Sequence, residues 1–211
     1  MMTSDKAQQF DDRLAKIISA IYHPIFMPVY GLLIIFSAPS MFAYLPFSVK
    51  KVLFVVVLIN NVLIPFSLIP YFRFRNIITS WSVENRKERI IPLITTSFFY
   101  TITVYLTLRF HIPLFIKSFI LASTFLAIAV TVINFWWKIS IHSAGAGALT
   151  ALVIVLSVKM HTPLTWFMII VILSAGLVMT SRLWLNSHTP WEVWTGFLLG
   201  AFGTSLFLIL F

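Results

Sequence analysis

The chain has 211 residues, of which 60% are hydrophobic and 10% charged, and it contains no cysteine. Soluble domains are usually about 45–50% apolar and about 25% charged, so this composition excludes a soluble globular enzyme, a disordered protein and a coiled coil. Without cysteine there is no disulfide, no thiolate nucleophile and no zinc–thiolate site. The formal net charge of +9 favours anionic lipid headgroups over nucleic acid as partners, because basic residues are expected at the ends of membrane spans.

Residues 1–22 have the pattern of an amphipathic helix. Apolar residues recur in this segment at spacings of one, three and four: Phe10, Leu14, Ile17, Ile18 and Ile21. These spacings place them on one helix face. We expect the segment to lie in the membrane interface, ahead of a transmembrane domain formed by residues 23–211.

Seven stretches are long and apolar enough to cross a bilayer, which takes about 20 mostly apolar residues. They cover approximately 24–44, 52–72, 91–108, 113–136, 143–159, 163–180 and 193–211. Backbone polar groups in lipid must be satisfied within the segment, and no stretch alternates as a barrel strand would. The sequence therefore predicts an all-α integral membrane protein, a polytopic bundle of six or seven spanning helices.

An odd number of spans segregates the polar residues to one membrane face. The N-terminus and the connections 73–90, 137–142 and 181–192 would share that face. It would carry all six acidic residues and three of the five histidines, which are His23, His142 and His188. We therefore expect any polar chemistry to take place there.

The last of these connections brings an arginine, a histidine and a carboxylate together at a membrane boundary. Arg182 offers a planar set of donors that suits phosphate oxygens. His188 can act as a nucleophile or transfer a proton. Glu192, four residues further on, is placed to hold the imidazole in one tautomer.

This stretch resembles the third motif of the type 2 phosphatidic acid phosphatase (PAP2) superfamily. That motif reads Ser-Arg, five residues, His, three residues, Asp, and here Ser181, Arg182, His188 and Glu192 keep the spacing, with Glu in place of Asp. The second motif, Pro-Ser-Gly-His, is reduced to the Ser and the His of residues 139–142. The first motif, Lys, six residues, Arg-Pro, is absent as such, and a basic run over residues 84–92, from Glu84 to Pro92, occupies its region. Two spans separate each region from the next.

The resemblance implies a metal-independent lipid phosphate or pyrophosphate phosphatase that needs no cofactor. It makes His188 the nucleophile that forms a phosphohistidine, His142 the general acid and Glu192 the residue that orients His188. Phosphate would be bound by Arg182, Ser140, Arg86, Lys87 and Arg89. The partners would be membrane lipids and a phosphorylated lipid or polyprenyl substrate, and the location the inner membrane of a bacterium.

Simpler interpretations of the same residues remain open. Thr189 and Glu192 also form a capping box, Ser140 fits a helix cap, and the basic run fits a lipid-facing loop. Asn60 and Asn61 lie within a span, where interhelical hydrogen bonding is the usual role and a pore the alternative.

Two other functions and the orientation are also open. The departures from the first two motifs fit a degenerate protein that binds anionic lipid without hydrolysis, and the bundle fits a small transporter. The predicted site face holds ten Lys and Arg against five on the other face. That excess favours a cytoplasmic site, whereas many bacterial relatives in the superfamily face the periplasm.

Overall fold

The structure, a computed structural model, describes the backbone of residues 2–80 and 85–211 and, within these ranges, the side chains from residue 8 onwards. All regular secondary structure in these ranges is helical, without a strand. The α-helices are α1 (Met2–Ile21), α2 (Met27–Ser37), α3 (Phe47–Val57), α4 (Ile64–Phe74), α5 (Ile90–Leu108), α6 (Leu114–Asn134), α7 (Ile141–Lys159), α8 (Thr165–Trp184) and α9 (Pro190–Leu210). Met1 of the predicted interfacial segment and Glu84 of the basic run lie outside the described residues.

Seven helical segments of the described chain are long and apolar enough to cross a membrane. They are Gln8–Ser37, Phe47–Phe74, Ile90–Leu108, Leu114–Asn134, Ile141–Lys159, Thr165–Trp184 and Pro190–Leu210. The predicted all-α polytopic bundle is thereby confirmed, and six of the seven predicted spans are recovered with their ends shifted by a few residues.

The first span differs from its predicted range of 24–44. It combines most of α1 with α2, and α2 ends at Ser37. Helix α2 ends there because Pro39 disfavours the helical conformation of the residue before it, Ala38. Ala38 accordingly adopts an extended backbone, with ψ of 142°. Pro39 thus explains the earlier end of the span, whereas its earlier start comes from the inclusion of α1.

Helix α1 packs along α8. The indole N–H of Trp184 donates to the Asp12 carboxylate at 2.9 Å. Deeper in the bundle, the hydroxyls of Tyr22 and Ser174 are 2.8 Å apart. The chain positions rise along α1 while they fall along α8, so the two helices run antiparallel.

The apolar face of α1 points away from the bundle. Phe10, Ile17 and Ile21 are exposed, whereas Ala15 and Ser19 are buried. This arrangement suits a lipid solvent, in which small residues mediate helix packing and large apolar side chains face the chains of the lipid. The depth of α1 relative to the membrane interface stays a prediction.

The second span is continuous through a π-helical segment, Leu58–Leu63. Pro65 has no N–H to donate to the carbonyl of Asn61, and Ile64 instead donates to the carbonyl of Ile59. Asn61 is buried, and its Oδ1 accepts a hydrogen bond from the Thr103 hydroxyl of α5 at 2.5 Å. Asn61 therefore links two helices, as its place within a span indicated.

Helix α7 is the most buried of the seven spans and packs against α2, α6, α8 and α9. Its contact with α9 is close enough to depend on glycine. A Cβ atom at Gly147 would overlap the carbonyl oxygen of Phe197, and one at Gly200 would overlap that of Ala144. This close crossing fixes the start of α7 against the start of α9.

Candidate functional site

The chain segment before α7 is hydrogen-bonded to the first turn of α9 and to the segment that precedes α9, at one end of the bundle. The backbone N–H of Ser140 donates to the carbonyl of Glu192 at 3.1 Å. The ammonium group of Lys138 donates to the carbonyl of Ser187 at 2.9 Å. The two connections that carry the second and third motif regions therefore lie side by side.

His188 is buried and is held by Glu192. Its Nδ1 lies 2.9 Å from the carboxylate Oε2 of Glu192. A carboxylate only accepts hydrogen bonds when ionised, so Nδ1 carries the proton and Nε2 carries the lone pair.

Glu192 also caps helix α9. Its Oε2 accepts the backbone N–H of Thr189 at 3.1 Å, and its own N–H donates to the Thr189 hydroxyl at 3.4 Å. The capping box and the contact with His188 therefore coexist in one carboxylate. The cap holds that carboxylate in place, and the carboxylate in turn fixes the imidazole.

His188 is neutral at physiological pH. Burial, together with the positive charge of Arg89, lowers the pKa of His188 from 6.5 to about 4, against the opposing effect of the hydrogen bond to Glu192. The neutral imidazole with its lone pair on Nε2 is the form that a nucleophile requires.

His142 lies in the first turn of α7 and contacts the N-terminal part of the chain. Its Nε2 is 3.2 Å from the backbone carbonyl of Ser19. A carbonyl only accepts, so Nε2 carries the proton in this contact and Nδ1 is the nitrogen available for proton transfer. The ring of His23 packs edge-on against the ring of His142, with centroids 5.4 Å apart.

Two buried arginines lie near both histidines. Arg89 and His142 line one cavity, Arg182 and His142 both contact Ser19, and the charges of both arginines act on His188. Arg89 immediately precedes α5, and Arg182 lies in the last turn of α8. The Nη1 of Arg182 donates to the Ser19 hydroxyl at 3.4 Å. Four separate helix ends thus contribute two imidazoles and two guanidinium groups to one cluster.

Ser140 is fully buried and caps α7. Its Oγ accepts the backbone N–H of Ser143 at 3.4 Å and the Ser143 hydroxyl at 2.9 Å. The structure therefore shows the cap interpretation directly. The phosphate-binding role implied by the resemblance stays a prediction.

The basic run divides between two locations. Arg89 joins the cluster, whereas the guanidinium of Arg86 donates to the carbonyls of Asn134 and Phe135 at the end of α6. A cation is favourable there because the last carbonyls of a helix carry partial negative charge. Lys87 is exposed. The structure brings Arg89, and neither Arg86 nor Lys87, to the histidines.

Sequence reasoning missed two residues of the cluster. Ser19 was not predicted, and His23 was placed on the predicted face without a role in the site. The available signal was the presence of three histidines on one predicted face, with Pro24 after His23 to turn the chain. Contacts between α1 and α8 could not be inferred from spacing, because they depend on how the helices pack.

The described part of the chain contains no group of three or more His, Asp or Glu side chains that could hold a metal ion. Comparison with known proteins found no matching family model, no matching curated protein and no matching solved structure.

Proposed function

We propose that the protein is a PAP2-type phosphatase that removes phosphate from a lipid phosphate or pyrophosphate at the membrane surface. The observation that carries this proposal is the cluster in which Arg89 and Arg182 lie near two histidines, one of which is hydrogen-bonded to Glu192. Phosphoryl transfer depends mainly on positioning and charge stabilisation. Two cations and two imidazoles at one end of a membrane bundle supply both.

In the first step, Nε2 of His188 attacks the phosphorus atom and forms a P–N bond. The P–O bond to the lipid breaks, and the leaving oxygen takes a proton from protonated His142. The hydrogen bond between Nδ1 of His188 and Glu192 supports this role, because it stabilises the positive charge that develops on the imidazole. The negative phosphate favours the protonated form of His142, and the arginines balance the phosphoryl charge.

In the second step, water attacks the phosphohistidine while neutral His142 accepts its proton. The P–N bond breaks, inorganic phosphate leaves, and His188 returns to its neutral form. Each step uses one histidine as nucleophile or leaving group and the other as proton donor or acceptor, so no further catalytic group is required.

The test is phosphate release by purified protein from phosphatidate and from a polyprenyl diphosphate. Wild type should release inorganic phosphate, vanadate should block it, and His188→Gln should lower the rate by about 10³-fold or more. His111→Gln is the matched control, because His111 is exposed at the opposite end of the chain's spans and should retain the wild-type rate. Undiminished turnover in His188→Gln would refute the proposal.

A second function, binding of anionic lipid without hydrolysis, is favoured by two observations. The Ser140 hydroxyl is engaged in the cap of α7, and the Pro and Gly of the second motif are absent. This alternative predicts retention of phosphatidate on the immobilised protein without phosphate release. If Arg182→Gln no longer retains phosphatidate, the lipid binds at the histidine–arginine cluster.

A further inference from the structure

We infer that the bundle contains an internal site for one hydrocarbon chain of a membrane lipid, leading inward from the histidine–arginine cluster. A cavity of about 210 Å³ is lined at one end by His23, Arg89 and His142. The inference deepens the proposed function and rests on it for the chemistry of the headgroup.

The walls of the cavity come from α4, α5, α6 and α7 and from the segment that follows His23. They are mainly apolar, with Phe72, Tyr100, Phe119 and Val130 among the side chains. The cavity exceeds the roughly 150 Å³ of an engineered apolar cavity that takes up benzene. An apolar cavity left empty lowers stability in proportion to its volume, so a ligand with an apolar portion would stabilise this region.

The depth of the cavity matches a chain from one leaflet. The residues that line it run from Arg89, just before α5, to Tyr100 within α5, which is about 16 Å at a rise of about 1.5 Å per residue. The hydrocarbon core of a bilayer is about 30 Å thick, so a chain from one leaflet reaches about 15 Å. The cavity therefore extends about as far as one such chain.

The charge at the Arg89 end of the cavity identifies the other end of the ligand. Arg89 lines the cavity and also acts on His188, so this end of the cavity lies at the proposed phosphate position. An anionic headgroup at the arginines with its chain directed inward satisfies both ends at once. A free phosphate would contact only the arginines, and a neutral hydrocarbon only the apolar walls.

The direct test uses a long-chain alkyl phosphonate with a diazirine in its chain, since a phosphonate is not hydrolysed. After irradiation with the purified full-length protein, mass spectrometry should find the label at cavity residues of α5 and α6, such as Thr96 and Ser123. A short-chain phosphonate in excess should compete poorly. Label confined to exposed, lipid-facing residues would overturn the inference without any variant.

Ala127→Phe places a ring in the cavity, because Ala127 lines it. Ile128→Phe adds a ring on the exposed side of the same helix and is the matched control. Ala127→Phe should reduce labelling at Thr96 about tenfold, which corresponds to about 1.4 kcal/mol, while Ile128→Phe stays near wild type. Ser123→Phe, one turn away, replaces Ala127→Phe if that variant does not fold.

Turnover separates this inference from the proposed function. Ala127→Phe should slow hydrolysis of a long-chain phosphate and spare hydrolysis of phenyl phosphate. Cavity labelling of a wild-type protein that hydrolyses neither would reject the phosphatase and retain the chain site. Hydrolysis with equal labelling in wild type and Ala127→Phe would reject the chain site and retain the phosphatase.

Discussion

His188 is hydrogen-bonded to the Glu192 carboxylate, and its pKa is nevertheless about 4. Burial and the charge of Arg89 lower this pKa by more than Glu192 raises it. We predict that the ¹⁵N imidazole signals of His188 titrate near pH 4, with the proton on Nδ1 above that pH. In the unfolded chain the same imidazole binds a proton near pH 6.5, whereas in the folded protein it binds one only near pH 4. His188 should therefore lower the free energy of unfolding as the pH falls from about 6.5 towards 4.

Two substitutions test the direction in which Glu192 and Arg89 shift the pKa of His188. Glu192→Gln removes interactions that raise the pKa of His188, so the titration should move to lower pH. Arg89→Gln removes a positive charge that lowers it, so the titration should move to higher pH. A wild-type titration near pH 6.5 would contradict this description of the site.

His23 is predicted to position His142 through ring packing, because the two rings meet edge-on with centroids 5.4 Å apart. His23→Phe keeps a ring, and we expect it to retain turnover within about threefold, whereas His23→Ala should lose about tenfold or more through misplacement of His142. Steady-state rates on one lipid phosphate provide the measurement. If His23→Phe is as damaging as His23→Ala, the role of His23 lies in a ring nitrogen, such as the Nδ1 that accepts the backbone N–H of Ile25 at 3.3 Å, and not in ring packing.

Individual residues of the site differed in how far the sequence could predict them. The contact between His188 and Glu192 follows from a spacing of four residues and a local cap. The different locations of Arg86 and Arg89 could not be predicted from the sequence. They depend on the carbonyls at the end of α6, which accept hydrogen bonds from Arg86.

At the level of helices, the crossing of α7 and α9 determines where His142 and His188 lie relative to each other. A Cβ atom at Gly200 would overlap a carbonyl of α7, whereas one at Gly176 of α8 meets nothing within 4 Å. We predict that Gly200→Ala lowers the free energy of unfolding by about 1–3 kcal/mol. Gly176→Ala should be neutral or slightly stabilising, because alanine favours helix.

Thermal unfolding in detergent measures both variants, with about 2–4 °C of Tm expected for each kcal/mol in a chain of this size. Gly200→Ala should also lose phosphatase activity below its Tm, since the helix starts would shift. Equal Tm values for the two variants would show that the α7–α9 contact is not close enough to constrain the site.

The spans were largely predictable because length and hydropathy are properties of the sequence alone. The first span was not, because its position depends on Pro39 ending α2 and on α1 packing along α8 through Ala15 and Ser19. In lipid the apolar face of α1 points outward, so hydrophobic periodicity identifies the helix without showing which side contacts the bundle.

For the whole molecule, seven spans place the C-terminus on the opposite side from the site. Because the chain has no cysteine, single cysteines can be introduced at two exposed positions, Trp136→Cys and Phe211→Cys. A membrane-impermeant maleimide applied to intact cells should label one of them and not the other. The excess of Lys and Arg on the site side favours labelling at position 211, and labelling of both positions would refute seven spans.

We propose that His188 accepts the phosphoryl group while His142 transfers the proton. Rapid quenching of turnover with ³²P-labelled phosphatidate, followed by mapping of the labelled peptide, tests both roles. We expect an acid-labile, alkali-stable label on His188, absent in His188→Gln and formed more slowly in His142→Gln. Turnover with the label on another residue, or with none at any quench time, would contradict it.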